Sequence, residues 1–416
     1  MSSAVATVQP IADRGADSNR RMTAAAVLAG MCTFLQVYAT QPLLPMFRRI
    51  FAASEFKVSL TVSAVTLAVA ISAPLVGSLA DYVGRKLVIV PAILGLALPT
   101  ALMALSRTLD QVIFWRFCQG LFVPGIIAVM IAYIGEEARP GTRGRVTAAY
   151  IAGTVLGGLL GRLFTAACAD RIGWRFAFVA LGCVTFASGL LVWKWLPPSR
   201  NFTRASHPLQ SAVAMLGHMR NPVLLATYFV GFNVLFALVG VFSYLNFYLA
   251  GPPFNLSTAS LGLVFLVYGL GVIVTPASGP FIDRIGHRWT LLAAVLIVTA
   301  GALLTLAPVL PVVIAGLAIF STGIFISQSA ASSHVAMAAA EARSAATGLY
   351  SSFYYLGGSC GVAVLGLAWK WGHWPACIAV VLAAQAIASV VAWKFFTRVG
   401  PGDIPDDSEL RNVPMV

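Results

Sequence analysis

The amino-acid sequence predicts an all-α membrane protein with twelve transmembrane helices in two pseudo-symmetric bundles of six. Three observations lead to this prediction: an apolar composition, a series of long apolar stretches, and a repeat that relates the two halves of the chain. Of the 416 residues, 59% are hydrophobic and only 10% are charged, whereas soluble domains carry about 25% charged residues. Lipid is therefore the expected solvent, and a large soluble helical protein is the rejected alternative.

Each apolar stretch has the length of about 20 residues that a helix needs to cross the hydrocarbon core of a bilayer. Residues 1–20 carry several charges and contain no apolar core of a signal peptide. The first span is therefore expected to serve as an uncleaved anchor. The twelve spans are predicted to begin near Met22, Val58, Lys86, Gln111, Arg145, Trp174, Pro222, Thr258, Arg288, Pro311, Ala345 and Trp374.

The formal net charge of +13 is expected to reflect membrane topology, with no nucleic-acid partner. If both termini and the loops after the even-numbered spans share one side, that side holds 18 of the 27 lysines and arginines. The other side holds seven. The positive-inside rule then puts both termini in the cytoplasm. Arg116 and Arg162 remain, and both fall inside predicted spans.

A repeat relates the two halves of the chain. ISAPLVGSLADYVGRK at 71–86 matches IVTPASGPFIDRIGHR at 273–288 with an offset of 202, and LGG recurs at 156–158 and 356–358. Two six-helix units with a site between them are typical of transporters in which one half rocks against the other. The predicted organisation is an N-terminal segment 1–21, a first bundle 22–196, a linker 197–221, a second bundle 222–397 and a tail 398–416.

The repeated segment is a loop that combines glycines, an acid and basic residues. We expect the carboxylate of Asp81 to reach the N-terminus of span 11 near residues 344–348, because the dipole of a helix start favours an anion. By symmetry, Asp283 should reach the start of span 5 near residues 146–148. The alternative is a charged loop that only sets topology. The predicted gating residues are Gly77, Asp81, Gly84, Arg85 and Lys86 in the first copy and Gly279, Asp283, Gly286 and Arg288 in the second.

Two arginines are predicted to lie inside the membrane at a similar depth, Arg116 in span 4 and Arg162 in span 5. Arg116 follows the start of its helix by about 9 Å, at about 1.5 Å per residue. Burying a charge in the bilayer costs at least about 2.5–3.5 kcal/mol, so such residues usually face a bundle interior or a cavity. A shared cavity is the expected explanation. The alternatives are snorkelling to the headgroups and a structural bond to backbone carbonyls.

The predicted membrane interior contains arginines but no acidic residues. All fourteen aspartates and glutamates fall in predicted loops, termini or helix ends. The cavity should therefore be electropositive, and we expect an anionic or neutral polar substrate instead of a lipophilic cation.

Further polar and aromatic residues follow helical spacing on the predicted spans. Gly153, Gly157 and Gly161 form a small-xxx-small ridge that allows close helix packing. For each of the other residues, packing or an interhelical hydrogen bond is the alternative to a place on the substrate pathway. The predicted substrate and proton pathway comprises Arg116, Gln119, Arg162, Tyr38, Gln41, Asn233, Tyr244, Gln328 and Tyr354.

The segment GSLADYVGRK at 77–86 resembles the signature loop of the major facilitator superfamily, and its degenerate copy between spans 8 and 9 is also typical. This resemblance implies alternating access by two six-helix bundles. RFCQG at 116–120 is similar to the helix-4 motif of the family, whose arginine is linked to proton transfer in proton-coupled members. The glycine ridge of span 5 resembles an antiporter motif, although Arg162 stands where that motif has proline. YATQPLLPMF at 38–47 looks similar to the bacterial drug and sugar efflux branch.

The resemblance favours proton-coupled efflux of a small anionic or neutral polar compound or drug across the bacterial inner membrane. The alternative is a proton-coupled importer of a small organic anion. The expected partners are a small-molecule substrate, protons and the lipid bilayer, and the expected state is a monomer. The five histidines and six cysteines have no ligand spacing, so we expect no metal, no cofactor and no enzymatic activity.

Overall fold

The computed structural model describes residues 11–139, 141–199, 201–202, 217–339 and 343–396. Side chains are described from residue 19 onward, except at residues 336, 343 and 344. The predicted tail 398–416 lies outside the described residues, as do residues 1–10 of the N-terminal segment and 203–216 of the linker. We call residues 19–202 the first half and residues 217–396 the second half.

Every regular element in this part of the chain is a helix. Three short 3₁₀ helices cover Gln41–Leu43, Met103–Leu105 and Phe265–Gly269. The α-helices are α1 (Ile11–Val37), α2 (Leu44–Phe51), α3 (Glu55–Val83), α4 (Arg85–Leu102), α5 (Leu109–Glu137), α6 (Arg143–Arg171), α7 (Trp174–Trp195), α8 (Pro222–Ala250), α9 (Thr258–Val264), α10 (Leu270–Leu304), α11 (Leu310–Ala338) and α12 (Arg343–Phe395).

The described residues contain ten helical stretches that are long and apolar enough to cross a membrane, compared with twelve in the sequence prediction. Two of the ten are much longer than one span. Thr258–Leu304 has 47 residues and Ala345–Phe395 has 51. Each contains a break in the helical backbone, at Gly286 in α10 and at Gly372 and His373 in α12.

The helix ends define two opposite sides of the molecule. On the Ser54 side, the side chains of Ser54, Thr108 and Ser257 accept hydrogen bonds from backbone N–H groups in the first turns of α3, α5 and α9, which is the usual role of an N-cap residue. On the Gly84 side, the turns at Gly84 (φ 108°) and Gly286 (φ 81°) have positive φ. Such angles strain side chains with a Cβ, so glycine suits both turns.

The glycine ridge of α6 packs directly against α1. A Cβ added at Gly157 would lie 2.1 Å from the carbonyl oxygen of Met31, and one at Gly161 would lie 2.2 Å from that of Leu35. Gly153 makes a similar approach one turn earlier. The two helix backbones can touch only because these positions lack side chains.

The second half repeats this contact between α8 and α12. A Cβ added at Gly357 would lie 2.0 Å from the carbonyl oxygen of Phe232, and one at Gly361 would lie 2.2 Å from that of Phe236. These glycines follow Gly157 and Gly161 by 200 residues, which is the offset of the LGG repeat.

The two halves meet towards the Ser54 side. The hydroxyls of Ser59 in α3 and Tyr244 in α8 are 2.8 Å apart, and those of Ser63 in α3 and Ser359 in α12 are 2.6 Å apart. All four side chains are buried. The two hydrogen bonds therefore join the halves inside the molecule.

A second contact closes the rim on the same side. The carboxylate of Asp170 accepts a hydrogen bond of 3.0 Å from the backbone N–H of Ala259. Below it, a Cβ added at Gly262 in α9 would lie 2.6 Å from Cβ of Ala166 in α6. Because Asp170 and Ala166 belong to the first half, both contacts hold α9 against α6.

Three glycines near the Gly84 side have no close neighbours. A Cβ added at Gly77, Gly144 or Gly279 would meet open space within 4 Å, although these glycines come from α3, α6 and α10 in both halves. The hydrogen bonds described between the halves all lie towards the Ser54 side.

Candidate functional site

Arg116 caps a helix that ends inside the molecule. Helix α1 stops at Val37, and the last carbonyls of a helix lack partners within that helix. Nη1 of Arg116 donates to the carbonyl oxygen of Gln36 at 2.7 Å, and Nη2 donates to that of Val37. Nε donates to the carbonyl oxygen of Thr61 at 2.9 Å, and Nη1 also donates to Oε1 of Gln119 at 2.6 Å.

These contacts make Arg116 a link between three helices of the first half. Its side chain is 0% exposed, and the bonds run from α5 to the end of α1 and to α3. Four hydrogen bonds use most of the five N–H donors that a guanidinium offers. Gln119 extends the network by donating to Oγ1 of Thr100 at 3.0 Å. The arrangement matches the structural alternative foreseen for this residue, and a pathway role for Arg116 and Gln119 stays a prediction.

Arg162 has fewer hydrogen bonds. Its Nε donates to Oε1 of Gln41 at 2.9 Å, and its Nη1 donates to the carbonyl oxygen of Gly158 at 2.7 Å. The residue is 3% exposed. Among the described residues, no Asp or Glu oxygen lies within the 4 Å of an ion pair with Arg162. A buried charge without an ion-pair partner is costly, so the remaining contacts of this guanidinium matter.

Three aromatic rings surround the guanidinium, and we call them the Arg162 cage: Tyr38, Phe265 and Tyr268. The carbon Cζ of Arg162 lies 4.8 Å from the ring centroids of Tyr38 and Phe265 and 4.7 Å from that of Tyr268. Attraction between a cation and an aromatic face extends to about 6 Å. Phe265 and Tyr268 come from the second half, so the cage joins the two halves.

The local backbone explains why both rings of the second half reach the same charge. Phe265 and Tyr268 lie three residues apart in the 3₁₀ helix Phe265–Gly269. In such a helix, side chains at i and i+3 are eclipsed. The two rings therefore lie one above the other and face Arg162 together.

Several buried polar atoms in both halves have no hydrogen-bond partner. Buried donors and acceptors are normally satisfied, so a group of unpaired ones calls for an explanation such as a ligand or water. Among the described side chains, such atoms include Nε2 of Gln41, Oγ1 of Thr40, Oδ1 of Asn233, Oγ of Ser321 and Ser327, Oε1 of Gln328 and the hydroxyl of Tyr350.

The first signature loop forms a charge cluster within the first half. Nη1 of Arg85 donates to Oδ1 of Asp81 at 2.5 Å, and Nη2 donates to Oε1 of Glu136 at 2.7 Å. Nζ of Lys86 donates to the carbonyl oxygen of Leu196. The loop thus ties the ends of α3, α4, α5 and α7 together on the Gly84 side.

The second loop is built differently. Nε of Arg288 donates to the carbonyl oxygen of Phe396 at 2.6 Å, and Asp283 is exposed. The contacts predicted from Asp81 to the start of span 11 and from Asp283 to the start of span 5 are not among the described contacts. Both stay predictions for a state in which the Gly84 side is closed.

Comparison with known proteins places this architecture in a family. The family model of the Major Facilitator Superfamily matches residues 26–325 and 251–414. The chain belongs to the Major Facilitator Superfamily. It is therefore a multi-pass membrane transporter, as its resemblance to the signature loop implied.

Individual relatives of this superfamily member span nearly the whole chain. The MFS-type transporter YybF of Bacillus subtilis is 32% identical over 369 residues, covering 88% of this chain and 91% of that protein. The inner membrane transport protein YnfM of Escherichia coli is 32% identical over 387 residues, covering 93% of each. The crystal structure of the human organic anion transporter MFSD10 has a TM-score of 0.71 at 19% identity, covering 90% of this chain and 99% of that one.

The structure distributes the predicted pathway residues of this superfamily transporter over several settings. Tyr38 and Gln41 contact Arg162. Tyr244 joins the halves through Ser59. Asn233 donates a hydrogen bond of 3.3 Å to the carbonyl oxygen of Ala384 within the second half.

The last two pathway residues lie near unpaired polar groups. Tyr354 stacks on Tyr350, with ring centroids 6.0 Å apart, and the hydroxyl of Tyr350 is unpaired. Gln328 is partly buried and its Oε1 is also unpaired. A place on the pathway stays a prediction for both.

Sequence analysis missed Phe265 and Tyr268. The only signal is the stretch FLVYG, in which two aromatic residues are three positions apart. A chain with 25 phenylalanines and 11 tyrosines offers many such pairs. Nothing in the sequence singles out this one.

Proposed function

We propose that this transporter is a twelve-span carrier that exports a small anionic or neutral polar compound across the bacterial inner membrane in exchange for protons. It works by alternating access of two six-helix bundles, residues 22–196 and 222–397, joined by the linker 197–221. The Gly84 side faces the cytoplasm, together with both termini. The chain acts as a monomer.

The backbone breaks support the count of twelve spans. Gly286 divides the run Thr258–Leu304, and Gly372 and His373 divide the run Ala345–Phe395. Each run is about twice the roughly 20 residues that one crossing needs. Two runs counted as two spans each raise ten stretches to twelve, with six in each half.

The difference between the two sides supports alternating access. Hydrogen bonds between Ser59 and Tyr244 and between Ser63 and Ser359 hold the halves together towards the Ser54 side. No comparable hydrogen bond between the halves is described on the Gly84 side, and the glycines Gly77, Gly144 and Gly279 near it have no close neighbours. In the proposed orientation, this is a state open to the cytoplasm, from which an exported compound would bind.

The observation that carries the substrate class is the buried charge of Arg162. It lies where the halves meet, and its described contacts are neutral groups without an ion-pair partner. A cationic substrate would meet repulsion there, whereas an anion or a polar acceptor would find free donors. An anionic or neutral polar compound is therefore the expected cargo.

Direction and proton coupling rest on the sequence. The segment YATQPLLPMF and the RFCQG motif favour proton-coupled efflux. Import of a small organic anion together with protons is the second candidate, because the same positive site would suit it. The two candidates differ in the sign of their coupling to a pH gradient.

The test is flux into proteoliposomes with an imposed pH gradient. External carboxylates, sugars and cationic dyes are offered to vesicles with an acidic or an alkaline lumen. Uptake of a carboxylate or a sugar driven by an acidic lumen is the result expected of proton antiport. Uptake driven by an alkaline lumen would support the importer. Uptake of cationic dyes alone would refute the proposed substrate class, and uptake indifferent to pH would refute the coupling.

A further inference from the structure

The contacts of Arg162 leave its hydrogen-bonding capacity incomplete. Two of the five guanidinium N–H donors are used within the described part of the chain, by Gln41 and by the carbonyl oxygen of Gly158. Arg116 provides the contrast, because its four bonds nearly exhaust its donors. The two buried arginines therefore differ in what they can still bind.

Gln41 adds unused donors beside the charge. Its Oε1 accepts from Arg162, which orients the amide so that Nε2 lies on the other side of the group. Nε2 is buried and has no partner in the structure, and the residue is 0% exposed. An amide nitrogen donates two hydrogen bonds and accepts none. The site thus combines one positive charge with several unused donors.

An oxyanion is the chemical group that fits this pattern. A carboxylate has two oxygens that accept several hydrogen bonds, and it pairs with the flat fork of an arginine through two parallel bonds. A cation or a hydroxyl-free apolar compound would leave the donors unpaired. The described residues supply no carboxylate at this position, so a ligand has to bring it.

The rings that cover Arg162 also hold the halves together. Phe265 and Tyr268 follow α9 directly, and α9 packs on α6 where Gly262 approaches Ala166. Withdrawal of the two rings from Arg162 would move the start of α10 and loosen this contact. The aromatic rings and a bound anion would therefore compete for the guanidinium of Arg162.

We infer that Arg162 and Gln41 bind the carboxylate of the substrate, and that this anion displaces Phe265 and Tyr268 and so releases the Ser54 side. The inference rests on the proposed function, since it assigns the substrate class and the opening step to the same site. An aromatic face is a weaker partner for a guanidinium than an oxyanion with direct hydrogen bonds. Without substrate, the Ser54 side of the carrier stays closed. A carboxylate that binds from the Gly84 side shifts the population towards conformations in which the Ser54 side is open.

Competition between the anion and the rings for Arg162 suits export, because binding from one side would open the other. An anion that enters from the open Gly84 side meets Arg162 behind the closed Ser54 side. Its binding removes the contact that keeps that side shut. Without an anion, the neutral rings return and closure is restored.

The experiment measures the width of the Ser54 side with spin labels. The labels are attached through p-acetylphenylalanine introduced at Arg107 and Val309, which are exposed residues on the Ser54 side of the first and second halves. Benzoate is the anionic probe and benzamide is its uncharged isostere. We expect benzoate to increase the population of long distances and benzamide to leave the distribution unchanged.

Variants then assign the effect to the site. Arg162→Lys keeps the charge and loses the planar fork, so the benzoate concentration for half-maximal opening should rise at least tenfold. The double variant Phe265→Leu with Tyr268→Leu should widen the Ser54 side without any anion. Arg175→Lys is the matched control, because Arg175 also lies over an aromatic ring, that of Trp174, but is exposed at the surface. This control should respond to benzoate as the wild type does.

The outcomes separate this inference from the proposed function. Equal responses to benzoate and benzamide, no response to benzoate, or an unchanged half-maximal concentration in Arg162→Lys would overturn it. The distance measurement uses no pH gradient, so an opening driven by benzoate without proton-coupled flux would refute only the coupling. Proton-driven export of a carboxylate with an unaltered response in Arg162→Lys would refute only the inference.

Discussion

Replacement of Arg116 by methionine should destabilise the protein through the end of α1. Methionine has a similar length and no donors. The carbonyl oxygens of Gln36 and Val37 then lose the guanidinium. Gln36 keeps a backbone hydrogen bond from Ala39 at 3.2 Å, so Val37 suffers the larger loss. The variant thus isolates the capping contribution of one side chain.

The magnitude follows from these partners. A buried polar group left unpaired costs about 1–3 kcal/mol, and the carbonyls of Gln36, Val37 and Thr61 and the amide of Gln119 are affected. Removal of the buried charge returns part of the desolvation cost. We therefore expect the free energy of unfolding to fall by about 2–4 kcal/mol. Arg162→Met should lose less, about 1–2 kcal/mol, because it breaks only two hydrogen bonds. Loss of the three cation–π contacts is offset by removal of a buried charge that has no ion-pair partner.

Thermal unfolding in detergent ranks the two variants by their unfolding midpoints. Steric trapping in bicelles measures their free energies of unfolding. Arg107→Met serves as the control, since the exposed side chain of Arg107 has no described contact and its replacement should leave the unfolding midpoint unchanged. A wild-type midpoint in Arg116→Met together with abolished flux would refute the capping argument. That outcome would mean that Arg116 acts in transport without holding α1.

Two further predictions concern the contacts between helices. Gly157→Ala should lower the unfolding midpoint, because the added Cβ would meet α1 at 2.1 Å and overpacking typically costs about 1–3 kcal/mol. The control Gly144→Ala adds a Cβ in open space and should not lower the midpoint. Equal midpoints for the two variants would contradict the packing argument. Tyr244→Phe removes the hydrogen bond to Ser59 and should shift spin-label distances on the Ser54 side towards opening, whereas an unchanged distribution would show that this bond does not hold the halves.

Repeats and short-range patterns were accessible from the sequence because they depend on spacing along the chain. The two loops with Gly84 and Gly286 are recognisable by their residues, and the structure gives both glycines the positive φ that a tight turn requires. The ridge through Gly157 is likewise a matter of helical period. Its partner helix, however, is identified only by the contact with Met31.

The number of spans depends on how two short breaks in the backbone are counted. The sequence predicts twelve, and the described structure has ten continuous apolar stretches. The difference arises at Gly286 and at Gly372–His373, where the backbone leaves the helical region for one or two residues. The predicted starts of spans 9 and 12, near Arg288 and Trp374, lie within two residues of these breaks.

By itself, the sequence determined that this protein is helical and embedded in lipid, that it repeats a glycine-rich loop, and that it carries two arginines in its apolar interior. These properties follow from composition and local spacing. Only the tertiary structure decided that the two arginines differ, because the partners of a buried charge depend on which backbone and side chains approach it in space. Arg116 meets the open carbonyls at the end of α1, whereas Arg162 meets aromatic rings from the other half of the chain. Those rings lie more than 100 residues away from Arg162 in the sequence, where no periodic pattern connects them.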